Sequence, residues 1–142
     1  MALDLALRSL QHVGIPVTDL ARSIAFYEAL SFRVAMRSQF EHDGATGHVA
    51  MLQYGDGAAT ITLELYQMPE PALVSIRARR DGHIDHIAFD VADIDATFAA
   101  LRAAGYATLE PEPVTLPFWR RGCRYCYIVG PDGERLEFNQ ML

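Results

Sequence analysis

The chain has 142 residues, 51% of them hydrophobic, and a formal net charge of −6 at pH 7. This length and apolar content are enough for a real hydrophobic core and argue against a disordered chain. The acidic balance argues against nucleic acid as a partner, because a negative surface repels phosphate backbones. The sequence shows no signal-peptide pattern and no apolar run of membrane-spanning length, which predicts a soluble cytoplasmic protein with no membrane partner.

The first half of the chain predicts one strand, one helix and three further strands. Residues His12 to Val17 alternate in character as a half-buried strand does. Asp19 is placed to cap a helix whose apolar side includes Leu20 and Ile24. The three later strands are predicted at about 32–40, 49–54 and 59–66, separated by glycine-rich turns.

The second half predicts the same order of elements. A strand over 84–91 should place Ile87, Phe89 and Val91 on the core face, and Asp93 should cap a helix that ends at Gly105. The remaining predictions are a strand starting near residue 106, a long loop over 110–122, strands over 123–129 and 134–140, and a turn over 130–133 between those two strands.

The two halves also match residue by residue. The segment Gln11–Leu20 aligns with Asp85–Ile94 at a shift of 74 residues, and Thr62–Gln67 aligns with Arg135–Gln140 at a shift of 73. We therefore predict an α+β fold in which two βαβββ modules, about 8–68 and 82–142, stand in tandem within a single domain spanning 1–142. The connector between them is about 69–81. In each module the helix covers one sheet face and leaves the other face open.

Four side chains occupy equivalent places in the two copies. By strand alternation, His12, Glu64, His86 and Glu137 all point to the open sheet faces. Any one of them alone fits an ordinary strand histidine or a solvated acid, but four matched positions predict a site for one divalent metal. Two imidazoles and two carboxylates suit nickel, cobalt, zinc, manganese or ferrous iron, and the sequence leaves that choice open.

The two cysteines, Cys123 and Cys126, form one CxxC motif. A single pair lacks the second pair of ligands that a structural zinc site needs. Residues three apart in a strand also point to opposite faces, which argues against a disulfide between them. We predict two unreactive thiols, buried or half-buried.

The chain resembles the vicinal oxygen chelate superfamily, which includes glyoxalase I, methylmalonyl-CoA epimerase, fosfomycin resistance proteins, extradiol dioxygenases and bleomycin-binding proteins. The resemblance runs from His12 to Gln140. It rests on His12 followed by Asp19-Leu20, Ser23 and Phe26-Tyr27, and on Gly130-Pro131-Asp132-Gly133 leading into Leu136-Glu137-Phe138. It implies paired βαβββ modules with a metal on the open sheet face.

The order of the four ligands is similar to that of bacterial-type glyoxalase I. Extradiol dioxygenases use two His and one Glu, fosfomycin enzymes lack a Glu at position 64, and epimerases of the family often carry Gln there. The resemblance therefore implies a metal-dependent isomerase or lyase that acts on a small substrate with vicinal oxygens through an enediolate. Two alternatives stay open, namely an epimerase acting beside a thioester carbonyl and a non-catalytic protein that sequesters a small molecule.

The resemblance also implies roles for the two acids. Glu137 would remove and return the substrate proton, and Glu64 would be its pseudo-symmetric partner. Glyoxalase I enzymes commonly place an Arg four residues after the first His and an Asn four residues after the first Glu, to hold glutathione. Pro16 and Met68 occupy those positions here, which argues against a conventional glutathione adduct as substrate.

Several further residues carry two interpretations each. The loop containing Trp119 and Arg120 is either a lid, with the indole packing on substrate and the guanidinium pairing with its carboxylate or phosphate, or else a dimer contact or a plain surface loop. Tyr127 sits where the family places a substrate-contacting Tyr, and a packed sheet tyrosine is the alternative. Asp90 and Arg135 are predicted to form either a pair beneath the metal or a structural salt bridge.

We also expect a homodimer. A small chain with two open sheets can complete two sites by pairing with a second copy. The superfamily resemblance implies that the ligands of one metal come from one chain or from two, and the sequence leaves both arrangements open.

Overall fold

The structure is a computed structural model, and it describes residues 3–29, 31–79, 84–129 and 135–142. The elements in these ranges alternate as two similar series of strands and helices. In chain order they are β1 (Leu7–Pro16), α1 (Leu20–Ala29), β2 (Arg33–His42), β3 (Ala45–Tyr54), β4 (Ile61–Gln67), α2 (Ala72–Arg77), β5 (His86–Val91), α3 (Ile94–Ala103), β6 (Val114–Leu116), β7 (Cys123–Val129) and β8 (Arg135–Met141). A short 3₁₀ turn, Gly57–Ala59, precedes β4.

The chain divides into two compact units, of which the first spans His12–Asp85. Its strand order is β2-β3-β4-β1, with β1 parallel to β4 and the other neighbours antiparallel. Helix α1 covers one face of this sheet. Its Ile24 packs against the buried side chains of Ala50, Leu52 and Leu65, which form the core of the unit.

The second unit comprises the residues up to Gln11 together with His86–Leu142. Its strand order is β5-β8-β7-β6, again with the first strand parallel to the last. Helix α3 covers one face, over a core of Val91, Ile94, Leu101, Cys126, Ile128 and Phe138. The start of β1 belongs to this unit, where Arg8 Nε lies 2.6 Å from Asp90 Oδ2.

Both units thus have the predicted βαβββ order, and the predicted α+β class is confirmed. That the two modules form a single domain stays a prediction. The repeat extends to the helix starts, because the last strand of each unit supplies a glutamine to the first helical N–H. Leu20 N donates to Gln67 Oε1 at 2.8 Å, and Ile94 N donates to Gln140 Oε1 at 3.0 Å. These bonds satisfy a backbone donor that a helix N-terminus otherwise leaves unpaired.

The predicted helix caps are confirmed. Asp19 Oδ1 accepts the N–H of Arg22 at 2.9 Å, and Asp93 Oδ1 accepts the N–H of Ala96 at 3.0 Å. Helix α3 ends at Ala103, and Gly105 follows its C-cap residue with a φ of +87°, a left-handed conformation that glycine adopts without steric cost. Each of these features depends on a few neighbouring residues, which is why the sequence alone revealed it.

Other details differ from the predictions. Ile87, predicted to face the core, is 38% exposed, whereas Phe89 and Val91 pack in the helix-side cluster. The predicted connector contains helix α2, anchored by the buried Leu73. The predicted long loop contains the short strand β6, and in place of a strand near residue 106 there is an isolated bridge between Thr108 and Ile128. The predicted turn over 130–133 lies outside the described residues.

Both cysteines are reduced and buried, as predicted. Cys126 lies in the core of the second unit, where burial above all raises the pKa of its thiol to about 12. Cys123 lies on the other side of β7, where Asn139 Nδ2 donates to its sulfur at 3.8 Å. Because this raised pKa keeps its thiol protonated, Cys126 is a structural residue rather than a nucleophile.

None of the helices in the described ranges has both the length and the apolar run that crossing a bilayer requires.

Candidate functional site

The first His–Glu pair lies on neighbouring parallel strands of the first unit. The register of β1 and β4 pairs Gly14 with Glu64, so His12, two residues earlier, shares their sheet face. His12 Nε2 lies 3.8 Å from Glu64 Oε2, and the two side chains are 1% and 12% exposed. Strand alternation therefore turns both groups away from the helix and buries them beside each other.

The second pair repeats this arrangement in the second unit. The register of β5 and β8 pairs Ala88 with Glu137, again two residues beyond the histidine. His86 Nε2 lies 3.1 Å from Glu137 Oε2, and the side chains are 2% and 5% exposed. The duplication thus preserves the register that brings each His to its Glu.

Glu137 is held by two hydrogen-bond donors in addition to its contact with His86. Tyr127, directly opposite on β7, donates its hydroxyl to Oε2 at 2.5 Å, and Asn139 donates Nδ2 to Oε1 at 2.6 Å. Gln11 Nε2 in turn donates to Asn139 Oδ1 at 2.7 Å. This buried network orients the carboxylate through both of its oxygens.

Tyr127 is itself positioned by a carboxylate. Glu110 Oε2 accepts the backbone N–H of Tyr127 at 2.8 Å, beyond the point where pairing of β6 with β7 ends at Tyr125. Burial raises the pKa of Glu110, with a smaller upward contribution from the charge of Glu137, and the N–H of Tyr127 opposes the shift. Sequence reasoning missed Glu110, because no local pattern tells which strand position an acid in a proline-rich loop will reach.

The structure places the other predicted residues as follows. Tyr127 shares the sheet face of Glu137, and its contact with substrate stays a prediction. The predicted pairing of Asp90 with Arg135 is corrected: Arg8 binds both oxygens of Asp90, at 2.6 and 2.7 Å. The guanidinium of Arg135 lies 5.8 Å from the centre of the Tyr127 ring. Arg8 was not predicted as a partner of Asp90, because its strand was predicted to begin only at residue 12.

The predicted substrate loop joins β6 to β7. Phe118 is buried, Trp119 is half-buried and Arg120 is exposed at its tip. The roles of Trp119 and Arg120 toward substrate stay predictions.

Within each unit, the His–Glu pair has the donor types and the spacing of two ligands to one divalent metal ion. Nitrogen and oxygen ligands lie about 2.1 Å from an ion such as zinc, so two of them are at most about 4.2 Å apart. The distances of 3.8 Å and 3.1 Å both satisfy this limit. Each pair offers one imidazole nitrogen and one carboxylate oxygen, a donor set that suits the first-row divalent metals.

Comparison with known proteins finds relatives along nearly the whole chain. An uncharacterized protein of Bacillus subtilis (strain 168), YwbC, is 33% identical over 133 residues, which cover 94% of this chain and 98% of that protein. The uncharacterized protein YaeR of Escherichia coli (strain K12) is 32% identical, with 94% of this chain and 96% of that protein covered.

Solved structures of enzymes are similar as well. The methylmalonyl-CoA epimerase of Streptomyces coelicolor, in a variant bound to 2-nitronate-propionyl-CoA, matches with a TM-score of 0.73 and 27% identity. The match covers 94% of this chain and 97% of that one. The methylmalonyl-CoA epimerase of Mycobacterium tuberculosis shares the fold with a TM-score of 0.75 and 23% identity, over 100% of this chain and 93% of that one.

A family model described as the Glyoxalase/Bleomycin resistance protein/Dioxygenase superfamily matches residues 9–138. This range covers nearly all of both βαβββ modules and contains both His–Glu pairs. The chain therefore belongs to the Glyoxalase/Bleomycin resistance protein/Dioxygenase superfamily.

Proposed function

We propose that this protein is a divalent-metal-dependent isomerase or lyase that moves a proton beside a carbonyl group of a small substrate. The observation that carries the proposal is the environment of Glu137. This carboxylate is 5% exposed, lies 3.1 Å from His86 and accepts hydrogen bonds through both oxygens. A carboxylate held in place and shielded from water is suited to accept a proton from carbon and to return it.

In this proposal the two His–Glu pairs, His12 with Glu64 and His86 with Glu137, supply the ligands of the metal within a homodimer. Support comes from the matching registers of the two pairs, from their donor distances and from the superfamily. The bound ion, whether nickel, cobalt, zinc, manganese or ferrous iron, would polarise the substrate carbonyl and stabilise negative charge on its oxygen.

The residues of the chain have distinct parts in the proton transfer. Glu137 takes the proton, and Tyr127 and Asn139 keep its carboxylate pointed in one direction. Glu64 would serve as the second proton carrier, on the opposite face of the substrate. Tyr127, Trp119 and Arg120 are the proposed substrate contacts. None of these steps requires a redox change or a covalent intermediate.

One specific observation favours an epimerase as the second candidate. The chain is 27% identical, over nearly its whole length, to the Streptomyces coelicolor methylmalonyl-CoA epimerase. An epimerase removes a proton from one face of a carbon and returns one to the other face, which requires two acids such as Glu64 and Glu137. Pro16 and Met68 also favour an epimerase over a glyoxalase, because they occupy the positions of residues that commonly hold glutathione in glyoxalase I.

Exchange of substrate hydrogen with solvent deuterium tests the shared chemistry directly. We expect purified protein to contain one divalent metal per ligand set and to catalyse exchange with a thioester such as methylmalonyl-CoA or with an α-hydroxy carbonyl compound. Chelation should abolish exchange, and adding back nickel, cobalt, manganese or zinc should restore it. The matched variants His12→Ala and His86→Ala should each lose the metal.

The products separate the candidates. Inversion at the exchanging carbon identifies an epimerase, whereas migration of the carbonyl identifies a glyoxalase-like isomerase. A protein that binds no stoichiometric metal and exchanges no substrate hydrogen would overturn the proposal in favour of a sequestering protein.

A further inference from the structure

The loop Pro117–Gly122, which we call the arginine loop, has an unusual backbone. Trp119 has a φ of +65°, in the left-handed region that a bulky aromatic residue rarely occupies. Gly122 has a φ of +95°, and a Cβ added there would lie 3.1 Å from the carbonyl oxygen of Leu116. Phe118, only 4% exposed, anchors the segment. Non-glycine residues in such conformations cluster at ligand sites, where the surroundings impose them.

The second feature of the arginine loop is the indole N–H of Trp119, a hydrogen-bond donor. Nε1 is buried and has no hydrogen-bond partner among the described residues. A buried donor without an acceptor is costly, so native structures rarely contain one. A ligand that brings an oxygen atom to this position would supply the acceptor.

A cavity of about 450 Å³ opens beside this indole. Its volume falls within the range of small-molecule sites. Its lining includes Trp119, Arg120 and Arg121, together with Thr115, Leu116, Pro117 and Gly122. The arginine loop contains two positive and no negative side chains, in a chain whose net charge is −6. The charge around the cavity is therefore locally opposite to that of the chain as a whole.

We propose that the arginine loop binds a phosphate group. Arg120 and Arg121 would supply charged donors, and the indole N–H of Trp119 would supply a third. Guanidinium groups match the oxygens of phosphate with paired hydrogen bonds. Three donors from separate side chains can reach different oxygens of a tetrahedral anion, whereas a planar carboxylate offers only two. Because Trp119 and Arg120 are also proposed substrate contacts, this inference rests on the proposed function and assigns a phosphate group to the substrate, and its test measures binding alone.

The only tryptophan of the chain is Trp119, so intrinsic fluorescence reports on this loop. The experiment titrates the full chain with inorganic phosphate and, separately, with adenosine diphosphate, at an ionic strength kept constant with sodium chloride. We expect a saturable change in emission. Arg120→Ala and Arg121→Ala should each weaken binding by about tenfold, the contribution of one charged hydrogen-bond donor.

Two further variants test the assignment. Trp119→Phe keeps an aromatic ring but lacks the N–H, and by calorimetry it should bind several-fold more weakly. Arg79→Ala removes one equal charge from an exposed position in the first unit, and it should bind as the parent does. Glu137→Gln should retain binding, because its carboxylate is not among the proposed phosphate donors, so a failure of the proposed reaction and a failure of phosphate binding can be told apart.

The outcomes decide both the site and the source of the phosphate. Tighter binding of adenosine diphosphate than of inorganic phosphate identifies a nucleotide site, and equal binding identifies a site for the free anion. The proposal is overturned by the absence of a saturable change, by full binding in both arginine-loop variants, or by an equal loss in Arg79→Ala.

Discussion

The two His–Glu pairs have the same register but different neighbours. In the second unit Tyr127 lies opposite Glu137 across the antiparallel ladder, and its hydroxyl donates to the carboxylate. In the first unit Met51 lies at that place, opposite Glu64, and is 1% exposed. A thioether cannot donate a hydrogen bond. The two modules therefore share the His and Glu side chains that suit a metal ion, but the residues packed around each Glu differ.

The same divergence is seen two residues further along the last strand. Asn139 donates to Glu137, whereas the matching position in the first unit is Tyr66, whose ring packs edge-on against Phe40. Two carboxylates in unlike surroundings can carry separate roles in one reaction. The difference leads us to expect that Glu137 is the main proton carrier and that Glu64, also a proposed metal ligand, is the second and less effective one.

The largest expected effect comes from exchanging each acid for its amide. Glu137→Gln should lower the rate of solvent-deuterium exchange by about 10²- to 10⁴-fold, because it removes the proton acceptor. Glu64→Gln keeps an oxygen donor for the metal, so we expect a loss of only about tenfold. Circular dichroism and metal content should show that both variants fold and retain the ion. Equal losses in the two variants would contradict the asymmetry.

A smaller effect is expected from the residues that lie opposite the two acids. Tyr127→Phe removes the hydroxyl that donates to Glu137, and one hydrogen bond to a charged group contributes about 1.5–3 kcal/mol. We expect an exchange rate lower by about tenfold or more. Met51→Leu is the matched change in the first unit, a swap of similar volume without any donor, and should alter the rate less than about twofold. If the two variants behave alike, the polar network around Glu137 does not contribute to the reaction.

The smallest expected effect is on the pH dependence of the unfolding free energy, which the carboxyl group of Glu110 influences. Burial holds the pKa of this carboxyl above its ordinary value of 4.5 in the folded protein. The folded state therefore binds the proton more tightly than the unfolded state, and stability falls as pH rises from about 4.5 through the folded pKa. Glu110→Gln keeps an acceptor for Tyr127 N–H without titrating. It should gain stability relative to the parent across that window.

Urea unfolding at a series of pH values measures this difference. Glu110→Ala serves as the control, because it removes the titration and the acceptor together and should be less stable than the glutamine variant by about 1 kcal/mol. If the unfolding free energies of the parent and of Glu110→Gln change with pH in the same way, the pKa of Glu110 is the same in the folded and the unfolded state.

Much of this molecule follows from local patterns in its sequence. The repeat, the strand alternation and the capping aspartates Asp19 and Asp93 predicted the βαβββ order and placed each His on the same sheet face as its Glu. A side chain's face follows from its position along one strand, and a cap needs only a few consecutive residues, so neither depends on distant parts of the chain.

Only the tertiary structure decided which residues meet. The pairing of Arg8 with Asp90, the hydrogen bond from Tyr127 N–H to Glu110 and the contrast between Tyr127 and Met51 all depend on which residues from distant segments lie next to each other. The same is true of the exposure of Ile87, which depends on which other segments cover its strand. Register and packing arise from contacts between segments far apart in the chain, and residue types alone do not specify such contacts.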